Sequence, residues 1–478
     1  METSLFFDKF HGYLSCVKRR GMVELKRYRE KEDMMKKNKH EKYSLLTAIT
    51  MIVGTCIGSG IFFKSDNILI ATNGNLLLGI ILFILAAFAI IFGSLTISEL
   101  ASRTNVAGGL VTYAQEFVNN QTACGFGWFL TFIYYPTIAV VVSWVIGVYV
   151  DILFHLQASL ELQMIIGFAF LVLCFIYNVF LPKVGAVFQD VSTFVKMLPL
   201  LLLGILGIVF GDPLGGLADI APATMISSSW IMALGPIAYS YDGWIVATSI
   251  AHEVKDAKKA MPKALTIAPL IVLAIYTFYF VGITSYLGAD QVMALGDAHV
   301  SVAASALVGN TFAKMIVVFV IISVMGTVNG LVTGYLRMPY SLALRKGMFP
   351  LEKTLKKVNE QLDIPVYSAL FAFVICTIWT VIHYLCTRFS LLPNSDVSEI
   401  AISMAYMLYI VLYYQVYQLY RHGQIKSFFK GVICPLFATI GSFIILSGGI
   451  QSQYFVYYIF ICVSVYGLSQ IYYHFHKK

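Results

Sequence analysis

The sequence Ile52-Val-Gly-Thr-Cys-Ile-Gly-Ser-Gly-Ile-Phe-Phe-Lys64 interrupts an apolar run from about residue 43 to residue 70. Three glycines fall within seven residues of it. Glycine inside a helix costs about 1 kcal/mol relative to alanine, and opened backbone at membrane depth persists only where it lines a cavity or is buried in protein. Gly58-Ser-Gly60 therefore predicts a broken helix that binds something polar. From this stretch alone, an unbroken helix with Gly54 and Gly58 on a packing face fits equally well.

The composition indicates a polytopic membrane protein. Of 478 residues, 59% are hydrophobic and only 12% are charged, and the mean hydropathy is +0.79. Apolar runs of about 20 residues are long enough to cross a bilayer, and their number predicts an all-α protein with twelve transmembrane helices. The predicted spans are 44–69, 76–100, 126–153, 161–180, 188–210, 230–251, 264–287, 312–344, 366–387, 398–420, 428–448 and 454–474.

The distribution of Lys and Arg predicts the orientation in the membrane. These residues concentrate in residues 1–43, in alternate loops and at the C-terminus, whereas the opposite loops carry mostly aspartates. Positive loops stay in the cytoplasm, so we expect a plasma-membrane protein with both termini inside. We interpret the net charge of +8 as part of this topology signal and not as evidence for a nucleic-acid site. Residues 1–43 lack the apolar core of a signal peptide. They form either a segment lying on anionic lipid or a solvated basic extension.

A second interruption supports the broken-helix interpretation. The sixth predicted helix contains Leu234-Gly-Pro-Ile-Ala-Tyr-Ser-Tyr-Asp-Gly-Trp244, in which proline removes a backbone donor. Interrupted helices at matching places in two halves mark the binding site of a secondary transporter. Helices one and six match if helices one to five repeat, inverted, as six to ten. The chain then divides into the extension 1–43, the repeats 44–210 and 230–420, and helices eleven and twelve in 428–474.

The two breaks predict a site for an amino acid. Half-helix N-termini offer N–H groups to an anion, and half-helix C-termini offer carbonyls to a cation, which suits a carboxylate and an ammonium. The expected substrate-binding residues are Cys56, Ile57, Gly58, Ser59, Gly60 and Ile61 at the first break, and Tyr239, Ser240, Tyr241, Asp242 and Gly243 at the second.

Two charged side chains at membrane depth are candidates for coupling. Lys196 lies inside the fifth helix, where an ammonium is costly and indicates function, although a snorkelling lysine is the alternative. A fixed ammonium in the place of a sodium ion would brace helix one and make transport sodium-independent. Asp242 would bind a cationic side chain, carry a proton, or bond a freed backbone N–H at the break.

Three tyrosines complete the candidate site. Tyr239, beside the second break, is expected to fold over the substrate as a lid. Tyr276 and Tyr279 are one turn apart in helix seven and are expected to reach Lys196, so Tyr279 joins Lys196 and Tyr239 as a gating or coupling residue.

Other functional classes lack their motifs. There is no HExxH, no Gly-x-Ser-x-Gly and no intramembrane carboxylate pair, which argues against an enzyme, and there is no filter motif of a channel. The eight cysteines form no CxxC pair, so neither a metal site nor a disulfide framework is expected. No cofactor is predicted.

The chain resembles the amino acid–polyamine–organocation superfamily, and within it the L-amino acid transporter family in its bacterial form. The resemblance covers about residues 45–350 and includes Lys196 in helix five. The stretches that carry it are 52–62, 98–109 with Tyr113, 238–244, 252–262, and Asn329-Gly330 with Arg337 and 343–350.

This resemblance implies a LeuT-type inverted repeat of five plus five helices, with helices eleven and twelve outside the core. It also implies that the backbone N–H groups of Ser59, Gly60 and Ile61 hold the substrate carboxylate. Carbonyls near Cys56 and Tyr239 would hold the amine, Tyr239 would be the gating aromatic, and the activity would be sodium-independent exchange.

Departures from the family pattern concern gating, substrate charge and partners. Asn105 stands where proline is usual, Asp256-Ala257 where Asn-Pro is usual, and Asp242 where many animal relatives have glycine. Animal members join a glycoprotein subunit through a cysteine between helices three and four, but residues 151–161 contain none. We therefore expect no disulfide-linked partner. The leading hypothesis is an antiporter of neutral L-amino acids, and the alternatives are a proton-coupled symporter of the same fold and an amino acid sensor.

Overall fold

The structure is a computed structural model that describes residues 44–104, 109–218, 228–246, 248, 254–362, 364–392, 396–450 and 454–476. These residues belong to one unit, Tyr43–Lys478. Asn359 and Ile364 form an isolated β-bridge. Eleven of the described helices are long and apolar enough to cross a membrane. The predicted all-α polytopic fold is confirmed.

The described residues of the first half form ten α-helices and one π-helical segment, Leu130–Tyr134, between α5 and α6. The helices are α1 (Leu45–Cys56), α2 (Ser59–Ala71), α3 (Leu76–Ala101), α4 (Leu110–Phe117), α5 (Asn120–Phe129), α6 (Tyr135–Phe154), α7 (Leu160–Phe180), α8 (Pro182–Val195), α9 (Met197–Phe210) and α10 (Pro213–Ala218).

The second half opens with a 3₁₀ turn, Ser228–Ala233, and contains a second π-helical segment, Phe429–Ile433. Its helices are α11 (Leu234–Tyr241), α12 (Ala257–Leu287), α13 (Ala289–Leu295), α14 (His299–Tyr335, bent at Gly309), α15 (Met338–Ala343), α16 (Glu352–Leu355), α17 (Val366–Arg388), α18 (Glu399–Arg421), α19 (Cys434–Ile450) and α20 (Phe455–His476).

Local sequence signals set several helix starts. The side chains of Ser44, Asn75 and Ser159 accept hydrogen bonds from backbone N–H groups three residues later. Such N-caps satisfy donors that the first helical turn leaves unpaired. Pro182 begins α8, where its missing N–H costs nothing.

The predicted spans agree with the described helices, with two qualifications. The sixth span, 230–251, is described only in part, so the count of twelve stays a prediction. The fifth is divided at Lys196 into α8 and α9. The extension 1–43, Asn105 and residues 252–253 lie outside the described part of the chain.

The interrupted helices lie inside the bundle. Helix α1 packs on α8, α12 and α14, and α2 packs on α11. The side chains of Ile52, Ile57 and Ile61 are fully buried. This arrangement places opened backbone within protein, where membrane proteins tolerate it.

Candidate functional site

The first helix break lies at Ile57 and Gly58. Helix α1 ends at Cys56, Ile57 is extended (φ −74°, ψ 103°), and Gly58 (φ −150°, ψ −138°) precedes α2. The predicted interruption is confirmed, and the alternative of an unbroken helix is wrong. Because the N-cap residue Gly58 has no side chain, the first N–H groups of α2 lack a side-chain acceptor there.

The second break lies at Asp242 and Gly243. Helix α11 ends at Tyr241, Asp242 is extended (φ −63°, ψ 160°), and Gly243 has φ +96°. This left-handed backbone favours glycine. A Cβ on Gly243 would also lie 3.1 Å from the carbonyl oxygen of Thr55. The glycine thus allows the second break to lie against the end of α1.

The two breaks contact each other through backbone. A Cβ on Gly60 would lie 2.5 Å from Cα of Ser240, so no larger residue fits there without movement. Thr55 Oγ1 donates to the carbonyl of Gly243 at 3.1 Å. The hydroxyl of Tyr276 lies 2.7 Å from the carbonyl oxygens of both Cys56 and Ser240. A single hydroxyl thus joins the carboxyl ends of α1 and α11.

A small cavity lies between the breaks. Six predicted site residues line it, and five lining residues were not predicted. The predicted ones are Cys56, Gly58, Gly60, Tyr239, Asp242 and Gly243. The additional ones are Thr55, Ile138, Val142, Thr327 and Leu331.

The other predicted site residues flank this cavity. Ile57 and Ile61 are fully buried, and Ser59 begins α2. The hydroxyl of Ser240 donates to the carbonyl of Pro236 at 2.9 Å. Tyr241 faces Phe83, with ring centroids 6.2 Å apart.

Asp242 meets a tyrosine that the sequence did not reveal. The hydroxyl of Tyr134 lies 3.0 and 2.8 Å from the two carboxylate oxygens of Asp242. Tyr134 ends the π-helical segment Leu130–Tyr134, a type of distortion often found at functional sites. A freed carbonyl of that segment, that of Phe132, accepts from Nε1 of Trp379 at 2.7 Å. The distortion therefore places Tyr134 without leaving this carbonyl unpaired.

Lys196 is fully buried and contacts helix α1. Its Nζ donates to the carbonyl of Gly54 and lies 3.5 Å from Oγ1 of Thr327. That threonine oxygen is also 3.5 Å from the carbonyl of Ile57. The lysine does not snorkel to an interface; it supports the carboxyl end of α1.

The expected contact of Tyr276 and Tyr279 with Lys196 is wrong. Tyr276 instead binds the two broken helices. The hydroxyl of Tyr279 lies 3.4 Å from Nε2 of His299, and its ring packs on Phe62 at 5.4 Å between centroids. Residue spacing showed that the tyrosines share a helix face, but the rotation of α12 decides which groups they meet.

A buried ion pair adjoins the proposed lid. Nζ of Lys64 lies 3.1 Å from Oδ2 of Asp396, and these side chains are 5% and 7% exposed. Nζ also lies 5.3 Å from the ring centroid of Tyr239. Burial would raise the pKa of the Asp396 carboxyl, but the Lys64 ammonium, the hydrogen bonds from Ser398 and the nearby His383 together outweigh burial and hold that pKa below its ordinary value. From the sequence these residues had only a topological meaning, because 332 positions separate them.

Comparison with known proteins places the whole membrane unit in one family. A family model described as "Amino acid permease" matches residues 43–466. The serine/threonine exchanger SteT of Bacillus subtilis (strain 168) is 29% identical over 412 residues, which cover 85% of this chain and 90% of that protein.

Animal proteins match over a smaller share. The human cystine/glutamate transporter is 25% identical over 341 residues, covering 69% of this chain and 66% of its own. The human Asc-type amino acid transporter 1 is 25% identical over 322 residues, covering 65% and 60%.

Proposed function

The chain belongs to the amino acid permease family, and we propose that it is a sodium-independent exchanger of neutral L-amino acids. The family and the relatives are transporters. The observation that carries the proposal is a single cavity lined by both helix breaks. In alternating access, the two interrupted helices would move together and open this cavity to one side of the membrane at a time.

The backbone supplies the common part of substrate recognition. The N–H groups of Ser59, Gly60 and Ile61, at the start of α2, would hold the carboxylate, because a helix N-terminus is an anion site. Carbonyls near Cys56 and Tyr239 would hold the ammonium. The carbonyl of Cys56 already accepts from Tyr276, so the ammonium would share or replace that hydrogen bond.

Side-chain selection would fall to the rest of the cavity wall. Ile138, Val142 and Leu331 provide an apolar surface, and Asp242 with Tyr134 provides a polar one. A small cavity with both surfaces suits alanine, serine or threonine. The name of the bacterial relative, a serine/threonine exchanger, agrees with this choice. Asp242 keeps its three possible roles: a partner for a cationic side chain, a proton carrier, or an acceptor for backbone N–H.

Lys196 supports independence from sodium. Its ammonium contacts the carbonyl of Gly54 near the end of α1, where a bound cation would otherwise brace the broken helix. Tyr239, held beside Lys64, would act as the lid, and Tyr279 would act in coupling through its contact with His299.

Orientation and assembly complete the proposal. We propose a multi-pass plasma-membrane protein with cytoplasmic termini, organised as repeats 44–210 and 230–420 followed by 428–474, without a disulfide-linked partner. The sequence between α6 and α7 contains no cysteine to form such a link.

The test is uptake of labelled L-serine into proteoliposomes in sodium-free buffer, with and without unlabelled serine inside. Exchange predicts uptake only in the loaded vesicles. Uptake into empty vesicles that grows with an inward proton gradient would instead establish the symporter alternative. Binding without any flux would establish a sensor. Either result would overturn the exchanger.

A further inference from the structure

The structure contains a second, larger concavity, on the membrane-facing side of the bundle. It encloses about 1740 Å³ of non-atom space, including its open side. Its two walls are α17 and α20, and its floor contains Phe132 of the π-helical segment. This concavity is here called the lateral groove.

The lateral groove exists because its two walls pack on different partners. Helix α17 packs mainly on α6 and α7, whereas α20 packs mainly on α5 and α18. The walls are thereby held apart while both cross the membrane. Ile378 on α17 and Tyr457 on α20 are 50% and 67% exposed.

The chemistry of the groove wall suits hydrocarbon. No Asp, Glu, Lys, Arg or His is among the described residues that line it. Two tryptophans line the groove, and each donates its indole N–H to a carbonyl of the protein. Trp379 donates to Phe132 at 2.7 Å, and Trp128 donates to Met348 at 2.8 Å. These N–H groups are therefore not available to a ligand, and the tryptophans offer it only their apolar rings. A polar solute would find few hydrogen-bond partners there. If the groove were empty, the apolar side chains that line it would lose dispersion contacts.

The dimensions of the groove match one acyl chain. The lining residues on and directly before α20 extend from Tyr454 to Leu468, and fourteen residues of helix rise about 21 Å. Half of a bilayer's hydrocarbon core is about 15 Å thick, so the groove is long enough for one acyl chain. From this match, the apolar wall and the held-apart helices, we propose that the lateral groove is a binding site for one acyl chain of a membrane phospholipid.

The occupant would lie against the segment that serves the transport site. Phe132 and Ile133 line the groove, and Tyr134, the next residue, binds Asp242 at 2.8 Å. The acyl chain therefore supports the π-helical segment from its membrane side.

The test counts phospholipids bound to the full-length purified protein by native mass spectrometry, with dioleoyl-phosphatidylglycerol as the probe. Ile461→Trp fills the groove, and Val463→Trp is the matched control, because Val463 is 55% exposed on the same helix but does not line the groove. We expect one retained lipid in the wild type and the control, and at least a tenfold weaker affinity in Ile461→Trp. Equal retention in both variants, or none in the wild type, would overturn the proposal.

A second measurement needs no groove-filling variant. The protein is placed in vesicles of dibrominated phosphatidylcholine, which quenches tryptophan fluorescence, and is then exchanged into unbrominated lipid. Quenching of Trp128 and Trp379 should persist for longer after this exchange than quenching of a control tryptophan. The control tryptophan is placed at Val463 in a Trp128→Phe, Trp379→Phe background. Equal rates of recovery would mean ordinary annular lipid and would overturn the site. Efficient disulfide trapping of dimers through Ile461→Cys would show that a second copy fills the groove, which would also overturn it.

Discussion

The Lys64–Asp396 ion pair gives a quantitative prediction about the closed site. The pair is nearly inaccessible, at 5% and 7% exposure, and its atoms are 3.1 Å apart. Removing one partner of a buried pair strands the other charge and costs about 3–5 kcal/mol. In Asp396→Asn, Lys64 keeps its position 5.3 Å from the Tyr239 ring, and this cation–π contact is worth about 0.5–2 kcal/mol. We therefore expect Asp396→Asn to lower the free energy of unfolding by about 3 kcal/mol, near the lower limit of that range.

The assay is a double-mutant cycle on the free energy of unfolding in detergent micelles. Lys64→Met and Asp396→Asn should each destabilise the protein strongly. The double variant should lose at least 1 kcal/mol less than the sum of the single losses, because it strands no charge. Asp256→Asn is the control, because Asp256 pairs with Lys259 at 3.6 Å with side chains 63% and 81% exposed. Such exposed pairs contribute at most about 1 kcal/mol.

The pH dependence of stability follows from the lowered pKa of Asp396. A carboxyl whose pKa is lower in the folded state contributes its full stability above its unfolded pKa of about 3.9. That contribution to stability disappears only as the pH falls through the lowered pKa of the folded state. The wild-type advantage over Asp396→Asn should therefore be constant between about pH 5 and pH 8. Additive single losses, or an advantage that falls away in this range, would refute the reasoning.

The remaining predictions concern the transport site. Lys196→Met should lower sodium-free exchange more than tenfold, because it removes the contact with the Gly54 carbonyl; proteoliposome uptake checks this, and unchanged exchange would contradict it. Gly60→Ala should abolish substrate binding, because its Cβ would lie 2.5 Å from Cα of Ser240. The control Gly467→Ala, which has open space, should bind normally in a scintillation proximity assay. Tyr134→Phe should raise the KM for serine about tenfold, since a hydrogen bond to a charged group is worth about 1.5–3 kcal/mol; an unaltered KM would exclude Tyr134 from substrate positioning.

The sequence revealed the parts of the site that violate helix or membrane preferences. Gly58 and Gly60 were detectable because glycines disfavour helix, and Lys196 because a charge at membrane depth is costly. Pro236 pointed to the second interrupted helix, but it lies in the first turn of α11, and the break itself comes at Asp242 and Gly243. Each of these signals is local in sequence.

The rest of the site left no such local signal. Ile138, Val142 and Leu331 are ordinary apolar residues of membrane helices, and only the rotation of α6 and α14 turns them toward the cavity. Tyr134 reaches Asp242 because of a π-helical segment, which no residue type specifies. The partner of Lys64 is 332 positions away. These features depend on tertiary packing and therefore could not be predicted from spacing.

In the proposed mechanism, the substrate occupies the cavity between the two helix breaks. Cys56 lines this cavity, so the most direct measurement is its alkylation rate in a variant where it is the sole cysteine. We predict that L-serine, but not sodium or D-serine, slows this alkylation at concentrations near its KM for exchange. An alkylation rate that saturating L-serine leaves unchanged, in a variant that still exchanges serine, would contradict the account.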